Sequence, residues 1–231
     1  MVILNAALVG LTLGVYWGGV LVSRTIGRKA DYSLAPLGFT WPRGGLIRGI
    51  GVGVAVGVGA LISSVPINAA SNFVLDRFGY STERSIQGPF MRGLMRWVEE
   101  SPGVAVPAII VVVVLLGPAV EELVFRGAVF NGLYRLGGYV SKSLGGPENS
   151  PRAVRRISFA LAALASSALF ALLHLEPTLL PALLVLAVAL CALFARTGSL
   201  LPCFVAHATF NSFATSIIIL GGLGVVEIPP V

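Results

Sequence analysis

Six stretches of this chain stay apolar for about twenty residues each, and no other feature limits its fold so tightly. They run over roughly 2–23, 46–68, 104–134, 157–175, 178–195 and 199–223. About 20 such residues cross the roughly 30 Å of hydrocarbon in a bilayer as a helix. The expected fold is therefore all-α, a polytopic membrane bundle of about six transmembrane helices. Composition agrees: 56% of residues are hydrophobic, 11% are charged and mean hydropathy is +0.90. A soluble globular domain has about 45–50% apolar and about 25% charged residues. The third run is too long for one simple span, so part of it tilts or projects into the cytosol. The first run has no basic leader region and no small-residue cleavage site, and reads as a span rather than a signal peptide.

The net charge of +6 does not point to nucleic acid, because the basic residues are distributed by loop. Arg24, Arg28, Lys29, Arg43 and Arg48 follow the first run, Arg135, Lys142, Arg152, Arg155 and Arg156 the third, and Arg196 the fifth. Eleven of the sixteen basic residues thus lie in alternate loops. The positive-inside rule puts these loops in the cytosol and both termini outside. The expected location is a membrane crossed several times, with the lipid bilayer itself as a partner.

Between the runs lies one amphipathic segment, "PFMRGLMRWVEESPG". Phe90, Met91, Leu94, Met95 and Val98 share a face, with Arg92, Arg96, Glu99 and Glu100 opposite. A short helix lying in the interface is expected, with Trp97 at headgroup depth. The second run, "GIGVGVAVGVGALISS", lacks the Lys-Ser/Thr ending of a phosphate loop. Its spacings Gly53/Gly57 and Ala55/Gly59 instead mark close helix packing. Cys191 and Cys203 fall inside spans as small packing residues. The chain reads as a single membrane domain over 1–231, with two accessory spans in 1–73 and a core over 104–223.

The charges inside the spans carry the functional signal. The third run contains "GPAVEELVFRGAVF", although a charge at the centre of a membrane helix costs roughly 2.5–3.5 kcal/mol on insertion scales. The chain has two histidines, and both sit in apolar runs: His174 in "ALFALLHLEP" and His207 in "LPCFVAHATFNSF". Glu122 and Arg126 are i, i+4 with the acid first, so the guanidinium can neutralise that carboxylate. Glu121, turned about 100° away, has no partner in its own helix and is free for chemistry. Pro118 removes a backbone donor close by and predicts a kink. His207 and Asn211, at i, i+4, point into one space, and Phe170 at the same spacing from His174 packs beside that imidazole. These are the parts of a hydrolase that activates water directly: Glu121 to take its proton, an imidazole to orient it, and a second imidazole with an amide to donate to an oxyanion.

The ordered motifs "EELVFR", "FALLH" and "HATFN", with "FRG" inside the first, resemble the CPBP family. That group comprises the CAAX prenyl proteases and the bacteriocin-processing or immunity proteins, also called Abi. The resemblance covers about 104–223 and implies an intramembrane endopeptidase acting on a membrane-associated or lipid-modified peptide or protein. It makes Glu121 with His174 the water-activating pair, His207 with Asn211 the oxyanion site, and Glu122 with Arg126 structural support. The family is described both as glutamate-dependent and as metal-dependent. No HExxH occurs and Asn211 is a poor zinc ligand, so no cofactor is expected. Zinc held by Glu121, His174 and His207 is the alternative. Some members cleave prenylated C-terminal tails, but the substrate and any complex partners of this chain are not readable. The loop "YVSKSLGGPENSPRAVRR" departs from the compact family core.

Other intramembrane proteases fit poorly, since the chain has no GxSG serine motif and no paired YD/GxGD aspartates. Two non-enzymatic alternatives use the same residues: a membrane scaffold or immunity-type partner, and a proton- or ion-coupled transporter. No inverted repeat supports the last.

Overall fold

The computed structural model of the chain describes residues 2–27, 32–80, 87–143 and 152–227. Among these residues the structure is helical, without strands. Helix α1 spans Val2–Thr25, α2 Leu46–Arg77 and α3 Gln87–Glu100. Then comes one continuous helical rod: α4 Pro102–Ile109, a π-helical segment Ile110–Leu116, α5 Gly117–Glu122, a second π segment Leu123–Phe130, and α6 Asn131–Ser143. Helices α7 (Arg152–Leu172), α8 (Leu180–Thr197) and α9 (Leu200–Gly222) complete the bundle. Six helices are long and apolar enough to cross a membrane. The protein is an integral, multi-pass membrane protein.

Two spans are longer than hydropathy alone defines. The second reaches Arg77 rather than 68, because "NAASNFVLDR" is polar yet contains no helix breaker. Two residues past its end, Gly79, with a φ of 72°, closes the turn. The third reaches Val140, 39 residues in all. At about 1.5 Å per residue that is nearly twice the hydrocarbon thickness, and α6 accounts for the excess. The amphipathic α3 forms as expected; its Val98 is fully buried against Ala105 and Ile109. Arg28, Lys29, Arg84 and the middle of the basic loop, 144–151, lie outside the described residues.

Helix α8 is the centre of the bundle, with Leu186, Ala187, Leu190 and Cys191 fully buried. Both cysteines are free and buried. A two-residue turn joins α8 to α9. Gly198 takes the left-handed conformation that closes α8 (φ 67°), and the Ser199 hydroxyl accepts from Leu201 N at 3.3 Å to cap α9. In lipid, helices gain little from burying apolar surface and associate through close packing of small residues. Accordingly α2 lays Gly49, Gly53, Gly57 and Ala60 along one buried stripe. A Cβ on Gly53 would stand 2.7 Å from Pro202 O, and one on Gly57 would meet Ala206 O and lie 2.8 Å from the Thr209 Cβ. Ala55 and Gly59, the other small pair, face outward.

The loops gather in two sets. At one end, the Pro36–Arg43 loop bonds to the start of α6 and to the α8–α9 turn, through Asn131 Nδ2 to Pro36 O (2.6 Å) and Thr40 Oγ1 to Gly198 O (2.7 Å). At the other, Gln87 of α3 bonds to the His174 loop, and Gly222 of α9 lies against α3. Alternate loops therefore share a side.

Because Gly57 touches α9 and Gly59 touches nothing within 4 Å, the two glycines separate packing from helix propensity. Gly57→Ala is expected to lower stability by about 1–3 kcal/mol, the usual cost of overpacking. Gly59→Ala should leave it unchanged or slightly raised. Thermal unfolding in detergent checks both.

Candidate active site

The three charge-bearing spans meet where α5 passes into the second π segment. Glu122 and Arg126 are almost wholly buried, and Arg126 Nη1 donates to Glu122 Oε1 at 2.9 Å. The i, i+4 pairing read from the sequence is present. The second guanidinium nitrogen reaches Ala187 O on α8 at 3.4 Å. His207, on α9, brings Nδ1 to the same Glu122 Oε1 at 2.8 Å. One carboxylate oxygen thus accepts from a guanidinium and an imidazole at once. The other face of that imidazole, Nε2, lies 3.7 Å from Glu121 Oε2. His207 stands between the two glutamates.

Glu121 differs from Glu122 in exposure and partners. Its side chain is 24% exposed against 1% for Glu122, and its buried Oε2 has no hydrogen-bond partner. Glu121 is free within its own helix, as its position implies, but the His207 ring of α9 faces it.

Phe170 organises the aromatic side of the site. Arg126 Cζ sits 4.6 Å from its ring centre, a cation–π contact in a desolvated setting. Phe125 meets the ring edge-on at 5.2 Å. The His174 ring is 4.6 Å from it and the His207 ring 5.6 Å. Phe170 therefore touches both imidazoles, and the packing of Phe170 beside His174 is as the i, i+4 spacing implies. No hydrogen bond or ion pair joins His174 to Glu121 among the described residues. His174 Nδ1 lies 2.8 Å from Phe170 O. A carbonyl only accepts, so Nδ1 carries the proton and Nε2 is the acceptor. The same reasoning on Glu122 assigns the proton of His207 to Nδ1.

Asn211 lies one turn beyond His207 and donates from Nδ2 to Val113 O at 3.2 Å. In the first π segment, Gly117 N bonds to Val112 O, five residues back. The next π-type donor would be Pro118 N, which has no hydrogen. Val113 O is thus left without its helical donor, and the Asn211 amide supplies one. The single-turn insertions of π geometry that flank Gly117–Glu122 are a frequent mark of functional sites. Pro118 and the β-branched run Ile109–Val114 are their traces in the sequence.

Two residues of the site escaped the sequence reading. Beyond α7 the chain turns through Leu175, the one non-glycine residue with positive φ (54°) among those described. Glu176 follows, 3% exposed. Its Oε1 accepts from Thr178 Oγ1 at 2.9 Å and its Oε2 from Gln87 N at 3.4 Å. Gln87 Nε2 in turn donates to His174 O at 3.2 Å. The amphipathic α3 and the His174 loop are clasped together by this pair. The available signal was an acid two residues after the histidine, beside Pro177.

The fold and site define a multi-pass membrane protein with a Glu-Glu-Arg, His and His-Asn constellation on three spans. Residues 103–213 match the family model described as type II CAAX prenyl endopeptidase Rce1-like. Over that segment the chain is similar to the Rce1-like family, within the CAAX protease group that its motifs resemble. No curated protein and no solved structure matches the chain.

The clasp makes Glu176 a positioning residue for His174. Glu176→Ala is expected to lower kcat on a reporter substrate about tenfold, equivalent to about 1.4 kcal/mol, with KM unchanged. Glu176→Gln, which keeps an acceptor oxygen, should restore most of it. A loss that appears only in KM, or only in thermal stability, would contradict the positioning role.

Proposed function

We propose that the protein is an intramembrane endopeptidase that hydrolyses a peptide bond of a membrane-associated or lipid-modified substrate with directly activated water. The observation that carries this reading is the Glu121 carboxylate: partly exposed, without a hydrogen bond at Oε2, and facing an imidazole held by a buried ion pair. Glu121 takes a proton from water while His174, whose Nε2 is an acceptor, orients that water. The water oxygen bonds to the peptide carbon, and the carbonyl oxygen becomes an oxyanion. The second N–H of Asn211 donates to it, as does Nε2 of His207 when the ring carries a second proton beside the one on Nδ1. Collapse breaks the C–N bond, and Glu121 passes its proton to the departing nitrogen. Glu122, Arg126 and Phe170 hold His207 in register throughout.

The reaction is proposed to need no cofactor. Zinc takes three or four nitrogen, sulfur or oxygen ligands at about 2.0–2.3 Å. Among the described residues no three His, Cys, Asp or Glu side chains are grouped for that. His207 Nδ1 is occupied by Glu122 and the Asn211 amide by Val113 O. Glu121, His174 and His207 through its Nε2 are the residues that would hold zinc in the alternative, where it would polarise the water.

Residues 104–223 are proposed as the catalytic core and 1–73 as accessory spans of the same domain. The arginine-rich loops are assigned to the cytosolic face of a prokaryotic plasma membrane, with both termini outside.

Glu121→Gln is expected to reduce proteolysis by at least about 10²-fold, the scale of losing a general base, without changing expression or thermal stability. Wild-type activity should survive treatment with a zinc chelator. Activity retained by the variant would remove the general-base role, and loss on chelation reversed by zinc would restore the metal alternative.

For orientation, Gly145→Cys in a background lacking Cys191 and Cys203 should resist an impermeant maleimide added to intact cells, while Glu99→Cys should react. The opposite pattern would invert the topology.

A further inference from the structure

A cavity of about 450 Å³ lies away from the glutamates where the Pro36–Arg43 loop, the start of α6 and the end of α8 meet. Its walls are built rather than incidental. Arg43 N donates to Thr197 O at 3.0 Å, and Ser199 Oγ donates to Thr40 O at 2.6 Å. The Arg43 guanidinium lies close over Gly198, within 3.6 Å of where a Cβ there would stand. Opposite it is Arg135. The buried amide of Asn131 donates to Pro36 O and Gly127 O and accepts from Arg135 Nε at 3.0 Å. That bond orients the guanidinium and leaves its terminal nitrogens uncommitted. Among the described residues no Asp or Glu pairs with Arg43 or Arg135. Two oriented cationic forks thus face one cavity with no anion among the described residues to meet them.

The cavity is not closed. It shares Gly38, Thr40 and Trp41 with a mainly apolar groove of about 600 Å³, lined by Val9, Phe39, Leu123 and Phe204. The groove runs between α1 and α9 and reaches Glu122. Trp41, 76% exposed, stands at the junction, with the amphipathic character typical of side chains at headgroup depth. A polar, doubly cationic chamber joined to a long apolar trough matches an amphiphile with an anionic head.

We propose that the cavity binds the phosphate-bearing headgroup of an anionic bilayer phospholipid, with one acyl chain lying in the groove. Arginine forks suit phosphate oxygens through paired hydrogen bonds, and basic pockets at helix ends are sites where acidic headgroups settle. A free anion would leave the groove unused. The lipid chain would form part of the wall beside Glu122, making the occupant a structural component of the active-site surroundings. The inference rests on the membrane location and not on the endopeptidase reading.

The test uses the full-length protein in nanodiscs of phosphatidylcholine, with and without a minor share of phosphatidylglycerol. Thermal unfolding and native mass spectrometry are the readouts. Wild type is expected to gain several degrees with phosphatidylglycerol and to retain one such lipid on release. Arg43→Gln/Arg135→Gln should lose both effects. Arg155→Gln/Arg156→Gln, which removes equal charge from α7 outside the cavity, should keep them. Arg43→Gln alone serves the comparison if the double variant is unstable. An undiminished gain in the cavity variant, or an equal loss in the α7 variant, would overturn the site in favour of diffuse attraction. A gain of the same size from glycerophosphoglycerol, the headgroup without chains, would overturn the lipid in favour of a free anion.

Discussion

The bundle depends on how one carboxylate is kept in an apolar interior. Glu122 is buried beyond the reach of solvent, and a bare charge there would be untenable. Arg126 neutralises it from one turn away, and His207 donates to the same oxygen from another span. Each partner is then held in turn: Arg126 by Ala187 O and the face of Phe170, and His207 by the edge of that same ring. A charge satisfied from its own helix and from α9, with those partners held by α7 and α8, ties four helices together. Such a cluster is weak ground for net stability, and its effect here is register. Sliding α9 along α5 by one residue would separate His207 from both glutamates.

The stiffness around this cluster comes from close backbone approach. Helix α2 presses glycines onto the carbonyls of α9 at Pro202 and Ala206, so the helix bearing His207 and Asn211 has a wall directly behind it. The π segments on the opposite side do a different job. They shift helical hydrogen bonding around Pro118 and leave Val113 O for Asn211, while Ser166 of α7 donates to Phe125 O at 2.8 Å. Irregular backbone in a membrane interior is tolerated where neighbouring helices re-satisfy it, and here the neighbours are the helices that carry the site.

Much of this was legible in the sequence. Hydropathy located the six spans, and the i, i+4 rule identified Glu122–Arg126, Phe170–His174 and the free position of Glu121. These features are local to one helix, where spacing determines direction. The relation between helices was less legible. Nothing in "HATFN" tells that His207 bridges both glutamates, or that Asn211 meets a carbonyl orphaned by a proline 93 positions earlier. Those contacts depend on the relative height of α5 and α9, which side-chain periodicity does not encode. The Gln87–Glu176 clasp was hidden for the same reason, since it joins a surface helix to a loop across 89 residues.

The pairing of Glu122 with a residue of its own helix has a consequence for biosynthesis. His207 emerges 85 residues after Glu122, several seconds later at roughly 5–20 residues per second. During that interval the third span must already occupy lipid with its buried acid. Because Arg126 leaves the ribosome four residues behind Glu122, the span carries its own counterion from the moment it partitions. Integration of the early spans and assembly of the polar constellation are thereby uncoupled, and α9 completes a site whose costliest charge has been neutralised in advance.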